Sequence, residues 1–438
     1  MFKLPNAATA PFCPSEVRGT VQIDPAASLA RNMFAFAGPG LMVSVGYMDP
    51  GNWATDIEAG SRFGNGLLFI VLFSSLAAVL LQCLSAHLGV ITGKDLARLS
   101  GERYGPATRV FLWLMAELSI VACDLAEVLG GALAFHLLLG VPLLVGVVLT
   151  IFDTIIVLGF KGRNFRALEA IVLGLVATIG LCFGIELFFI KPYWPDVAAG
   201  FVPSAGLLMN PKALPLAVGI IGATVMPHNL YLHSSIVQTR VVRDNDPAKS
   251  QALRFTTLDT VLSLFFALFI NAAILILAAG AFHANGYVVT EIQDAYHLLQ
   301  PVVGGTAAGV LFAVALLASG QSSTVTGTIA GQVILEGFMN FKIPCWQRRL
   351  ITRTLALLPA LVGIWIMGSE GIGRMLVISQ IVLCLQLPFA MYPLIRCSGD
   401  KKLMGQFRAS PSMLFLSWII FSFITAGNVW LFVQLAGF

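Results

Sequence analysis

Long apolar runs recur along the whole chain, separated by short polar and basic segments. Eleven runs are long enough to cross a bilayer as helices, over roughly 33–60, 64–92, 110–138, 142–160, 167–190, 213–240, 255–282, 301–338, 350–367, 372–395 and 411–436. Two of them carry a proline where the hydropathy calls for unbroken helix. In span 1 the segment is GYMDPGN, Gly46 to Asn52, with the break placed at 49–52. In span 6 it is TVMPHN, Thr224 to Asn229, with the break at 226–229. Proline removes a backbone donor and clashes with the preceding turn. In lipid the groups it frees must be satisfied by protein, water or an ion. One broken helix in each half of a polytopic chain is the sequence mark of a transporter's binding site. Span 8 is too long for one plain crossing, so part of it is expected to tilt or to extend into the cytoplasm.

The basic residues orient the array. With the N-terminus inside, only Arg62, Lys191, Lys212 and Arg374 fall outside, and the other 22 of the 26 Lys and Arg fall inside. A miscounted span would scramble that split. The C-terminus is then outside. Pro50 and Pro227 lie five spans apart, and an odd number of spans per repeat inverts the topology. Spans 1–5 (about 33–190) and 6–10 (about 213–395) therefore read as inverted repeats, with span 11 (411–436) an addition and residues 1–32 a cytoplasmic tail. The fold expected is all-α and integral to the membrane, one transporter domain over 33–438, with the two breaks facing each other near the midplane. Two unrelated proline kinks would be the plain alternative.

Composition agrees. Of 438 residues 57% are hydrophobic and 11% charged, against about a quarter charged in soluble proteins. The seven cysteines are scattered and form no CxxC, so they read as small apolar fillers. Residues 1–30 hold no apolar core of a signal peptide. No N-x-S/T sequon occurs, which favours a prokaryotic inner membrane.

The breaks also carry chemistry. Asp49 is a carboxylate at bilayer depth, at a cost of about 2.5–3.5 kcal/mol, and is a functional-site candidate on that ground. Asn52 adds an amide oxygen on the same loop, and Met226 a thioether at the facing one. A lone Met is usually core filler. Combined with oxygen donors, it suits manganese, iron, cobalt or cadmium better than magnesium or calcium. Asp49 alone would also serve as a proton carrier or as the counter-ion of an organic cation. Span 3 carries Glu117, Asp124 and Glu127 within an arc of about 80°. Unpaired, the three would cost on the order of 8–10 kcal/mol in lipid. They form either a proton relay or a set of interhelical salt bridges. Arg348, Arg349 and Arg353, at the inner end of span 9, read first as positive-inside anchors. His228 and His233 follow the second break, and His233 shares a helix face with Asn229.

The segments GYMDPGNWATDIEAG and GATVMPHNLYLHS, with AELSIVACDLAE, FAVALLASGQSS and IPCWQRRLITR, resemble the signatures of the Nramp proteins, and most closely the bacterial manganese-uptake members. The resemblance covers spans 1–11. It implies a LeuT-like fold and import of Mn2+, together with Fe2+, Cd2+ and Co2+, coupled to protons by alternating access. It places metal ligands at Asp49, Asn52 and Met226, backbone-carbonyl contacts at Ala223 and Gly46, and supporting polar groups at Asn271 and Gln380. It places the proton route at Asp49, His233, Glu117, Asp124 and Glu127, with Arg348 and Arg349 pairing with the span 3 acids. Asp56 stands where the family varies, often with Asn. The metal is then cargo, not a cofactor. The expected partners are divalent transition-metal ions, protons and the bilayer, with function as a monomer and no nucleic acid. The rivals are a symporter of another substrate on the same architecture and a non-transporting metal sensor. A membrane enzyme is disfavoured, because no HExxH or GxSxG occurs.

Overall fold

The computed structural model describes residues 18–23, 28–158, 165–303, 306–340, 345–368 and 371–435. Among them there are helices and one isolated bridge, Val21 to Arg240, but no strand. Nine helical runs are long and apolar enough to cross a membrane. One of these, Pro50–Thr92, joins the outer half of span 1 to span 2. Span 4 is the shorter helix Leu143–Leu158, which stops at residues outside the described set.

Span 1 is three helices, not two. α1 (Leu29–Phe36) and α2 (Pro39–Ser44) are followed by a 3-10 turn, Val45–Met48, and by α3 (Pro50–Phe63). Only one residue, Asp49, is extended (φ −69°, ψ 165°), so the break at 49–52 is narrower than expected. Pro50 takes the first helical position, where a missing N–H costs nothing. Asp49 caps the helix by accepting from the Asn52 backbone N–H at 2.8 Å.

A further break, at Ala37–Gly38, is not signalled by hydropathy. Gly38 sits at φ 133°, open only to glycine. The freed carbonyls of α1 receive arginine donors. Arg166 reaches Phe34, Ala35 and Ala37, and Arg240 reaches Ala35 and Ala37. Glu169 binds both arginines. The Gly38 and Gly40 N–H groups at the start of α2 donate to Asp259, at 3.1 and 2.7 Å. Both helix ends left unsatisfied by the break are thus served by charged side chains.

α4 (Leu68–Thr92), α5 (Leu96–Arg103), α6 (Pro106–Leu139), α7 (Leu143–Leu158) and α8 (Phe165–Ile190) complete the first half. In span 6, α9 (Leu214–Val225) meets α10 (Pro227–Ile236) at a single residue, Met226. α11 (Asp246–Ala281) is span 7. The long eighth run is described as α12 (Ile292–Val303) and α13 (Thr306–Met339), with residues 304–305 outside the described set. α14 (Cys345–Met367), α15 (Ile372–Ser398) and α16 (Pro411–Leu435) are spans 9 to 11.

Close approach of the spans rests on glycines. Gly89 lies against the Ser234 backbone and Gly222 against the Gln380 and Cys384 backbone, with no room for a Cβ. Pro388 inside α15 deprives the Cys384 carbonyl of its helical donor. Asn428 of α16 supplies one at 2.8 Å. The added span 11 therefore satisfies a carbonyl that proline frees inside span 10.

Candidate metal centre

The two breaks meet in the middle of the molecule. Gly46 lies against the Asn229 amide and the Met226 sulfur, so that a Cβ there would overlap the amide. Asn229 Nδ2 is 3.7 Å from Met226 Sδ and 3.4 Å from the Val43 carbonyl. Asp49, Asn52, Met226, Ala223, Asn229, Asn271 and Gln380 are all buried.

Proline chemistry explains the local backbone. Pro50 removes the α-helical donor of the Gly46 carbonyl, and Pro227 that of the Ala223 carbonyl. Met226 bridges its break at φ 20°, ψ 107°. That region is unfavourable for a side-chain-bearing residue by ~1–3 kcal/mol and persists only where the surroundings impose it. Other freed groups at the first break already have protein partners. The Met48 carbonyl accepts from Trp53 Nε1 at 3.2 Å and from Ser319 Oγ, and the Tyr47 carbonyl accepts from Asn52 Nδ2.

A set of oxygens remains. Asp49 Oδ2, Asn52 Oδ1, Asn229 Oδ1, Asn271 Oδ1 and Gln380 Oε1 are buried without a hydrogen-bond partner. Gln380 packs on Gly51, and its Nε2 donates to Ser379 Oγ at 2.9 Å, which leaves its oxygen to face elsewhere. Several buried acceptors without donors are costly unless something electropositive enters. Of them only Asp49 is charged. Among the described residues no three His, Cys, Asp or Glu side chains gather as a metal cluster. One carboxylate with neutral oxygens and a thioether suits a borderline cation and a site that must also release it.

Asn229 is missing from the sequence-derived ligand set. Its signal is present: Asn52 follows Asp49 by three residues, and Asn229 follows Met226 by three, at equivalent places in the two breaks. Gln82 is a second omission. His233 Nδ1 lies 3.0 Å from Gln82 Oε1, and Gln82 Nε2 donates to Tyr47 Oη at 2.9 Å, so a polar chain joins span 6 to the first break. His228 is buried with Nδ1 unpartnered.

The span 3 acids lie along α6, beside spans 8 and 9. Glu127 accepts from Ser323 Oγ and Thr324 Oγ1, both at 3.1 Å, and from Arg353 Nη1 at 3.3 Å. Arg353 also donates to the Thr150 carbonyl. Glu117 pairs with Arg348 and accepts from Trp113 Nε1 at 2.8 Å. Asp124 and Glu127 both border Gly327 of span 8, where the lack of a side chain leaves space beside them. The partner of Glu127 is thus Arg353, which the sequence presents only as an anchor. The side chain of Arg349 lies outside the described residues.

Known proteins share this arrangement. A family model described as natural resistance-associated macrophage protein-like (Nramp) matches residues 40–434. A "divalent metal cation transporter MntH" of Ralstonia nicotianae is 64% identical, with both chains covered in full. "Divalent metal cation transporter MntH 1" of Pseudomonas aeruginosa is 62% identical over 98% of each chain. Among solved structures, the Eremococcus coleocola manganese transporter in complex with an aromatic bis-isothiourea compound superimposes with a TM-score of 0.88. It is 36% identical, over 94% of this chain and 89% of that one. The fold alone is shared with MhsT (TM-score 0.62, 14% identity) and with Mhp1 (TM-score 0.58, 13% identity).

Proposed function

Since the chain belongs to the Nramp family and is a metal-ion transporter, not an enzyme, we propose that it imports Mn2+, and also Fe2+, Cd2+ and Co2+, together with protons. The observation that carries the choice of ion is the donor set: one carboxylate, neutral oxygens without hydrogen-bond partners, and a thioether held in a strained backbone. Asp49, Asn52, Met226, Asn229 and the carbonyls of Ala223 and Gly46 replace part of the ion's water shell, with Asn271 and Gln380 supporting them. Met226 adds a soft contact that Ca2+ and Mg2+ gain little from.

A proton leaves the centre along span 3, by way of Asp49, Glu127, Asp124 and Glu117, with Arg348 and Arg353 orienting the acids. His233 is tied to the first break through Gln82 and Tyr47. Arg349 belongs to this region by sequence position alone. Inward opening requires α1 and α2 to swing. The carbonyls held by Arg166 and Arg240 and the N–H groups held by Asp259 are the contacts such a swing must release. The working location is the bacterial inner membrane, with the tail of residues 1–32 inside and the C-terminus outside, and the unit is a monomer.

The test is Mn2+ uptake into proteoliposomes containing an internal pH dye. Mn2+-driven acidification in the wild type and its loss in Asp49→Ala are expected. Uptake without acidification would reduce the span 3 acids to packing. An absence of divalent-ion uptake in the wild type would remove the transport reading.

A further inference from the structure

The ends of α6 and α15 and the flank of α16 enclose a groove that neither the centre nor the proton route uses. Its volume is about 540 Å³, and its lining is almost wholly apolar. Tyr104 and Leu112 line it from the turn into α6 and from that helix, Phe389 and Tyr392 from α15, and Phe421 and Phe432 from α16. Contacts fix the level of the three walls. The Tyr392 ring meets Trp418 and Phe421. Arg103, next to Tyr104, bonds Asp400 at 3.0 Å just beyond the end of α15. Tyr104 and Tyr392 therefore mark the end of the groove nearest the connection between α15 and α16. On α16 the lining runs over eleven residues, about 16 Å. That is about half of the ~30 Å hydrocarbon thickness, the reach of one acyl chain.

The end marked by the two tyrosines is basic. Arg396 is exposed and stands one turn beyond Tyr392, about 6 Å farther along the same face of α15. Tyr104 lies within reach of the charges of both Arg103 and Arg396. From Arg396 to Arg408 there are four basic residues and one acid, Asp400, and Arg103 takes that acid. Among the described residues Arg396, Lys401, Lys402 and Arg408 make no ion pair. They differ in this from Arg166 and Arg240, which hold carbonyls, and from Arg348 and Arg353, which hold acids. Neither tyrosine hydroxyl is hydrogen-bonded among the described residues, so both can donate outward. Orientation in the membrane accounts for the charges, but not for an apolar groove that opens beside them.

We propose that the groove is a binding site for one anionic phospholipid. An acyl chain occupies the apolar trough between α6, α15 and α16. The headgroup phosphate meets Arg396 and Arg103 and accepts from the hydroxyls of Tyr104 and Tyr392. With the N-terminus inside, the lipid belongs to the cytoplasmic leaflet, where basic pockets between membrane helices take anionic headgroups. Charge complementarity chooses the occupant. A second copy docked through the same face would set its own basic residues against these. A zwitterionic lipid fills the trough equally well, but brings an amine that the arginines repel. Span 11 supplies one wall, so the site belongs to the addition and not to the repeats.

The experiment is native mass spectrometry of the full chain, released from micelles that contain equimolar phosphatidylglycerol and phosphatidylcholine. The wild type is expected to retain one phosphatidylglycerol, in about 10-fold excess over phosphatidylcholine. Arg396→Gln should cut that excess about 5-fold, the effect of one basic residue at a lipid surface. Arg254→Gln, at an exposed arginine of α11, should leave it unchanged. Val429→Trp fills the trough from α16 and should lower retention of both lipids. Arg396 and Val429 are both exposed, so neither substitution disturbs the core. Equal retention of the two lipids by the wild type overturns the proposal. So does an excess that Arg396→Gln lowers no further than Arg254→Gln, or retention that Val429→Trp leaves unchanged. A lipid-free dimer that Val429→Trp converts to monomer would assign the groove to a second copy instead.

Discussion

Replacing Arg353 with Met should destabilise the protein far more than losing one hydrogen bond would. Arg353 Nη1 and Glu127 Oε2 are 3.3 Å apart, with side chains 1% and 0% exposed. At an effective dielectric of about 20 the attraction is on the order of 5 kcal/mol. Most of that only offsets the desolvation of two ions, so the pair itself adds little net stability. Removing one partner is different, because Glu127 keeps its burial and loses the Arg353 charge, and the Thr150 carbonyl loses a donor. The expected loss is ~3–5 kcal/mol, whereas a neutral interhelical hydrogen bond in a membrane protein averages about 0.6. The assay is denaturant titration of the detergent-solubilised protein for wild type, Arg353→Met, Glu127→Gln and the double variant. The double variant should regain more than half of the loss, because position 127 no longer holds a buried charge. A single-variant loss below about 1 kcal/mol, or strictly additive losses in the double variant, would refute the assignment of Arg353 as the counter-charge of Glu127.

Met226→Ala should keep part of the Mn2+ uptake while Ca2+ and Mg2+ begin to be transported; continued exclusion of Ca2+ would show that selectivity lies elsewhere. Asp124→Asn should lower internal acidification more than Mn2+ binding, compared by pH dye and by calorimetry; an unchanged pH dependence would remove Asp124 from the relay. Asn428→Leu takes from the Cys384 carbonyl the donor that α16 supplies and should cost about 1–3 kcal/mol in the same titration, the range for an unsatisfied buried acceptor. Glu169→Gln should loosen the hold of Arg166 and Arg240 on the end of α1 and raise the labelling of a cysteine placed at Ala37 from the cytoplasmic side; unchanged labelling would separate that network from inward opening.

What the sequence by itself determined is what local chemistry decides. Hydropathy marked the eleven spans. Pro50 and Pro227 marked the two breaks, because a missing N–H is a property of one residue wherever it folds. The donors nearest those prolines, Asp49, Asn52 and Met226, were legible for the same reason. So was the echo between the two breaks, although it was not followed as far as Asn229. Tertiary structure decided the rest. The break at Gly38 has its local mark in Pro39, but what holds it, Arg166, Arg240 and Asp259, lies more than a hundred residues away. Which arginine serves Glu127 depends on how spans 3 and 9 pack, and Arg353 meets it across 226 positions of sequence. An apolar face shows that a helix packs in lipid against a neighbour. The neighbour, and the turn that meets it, follow from side-chain volumes on both helices at once, and no single stretch of sequence contains both.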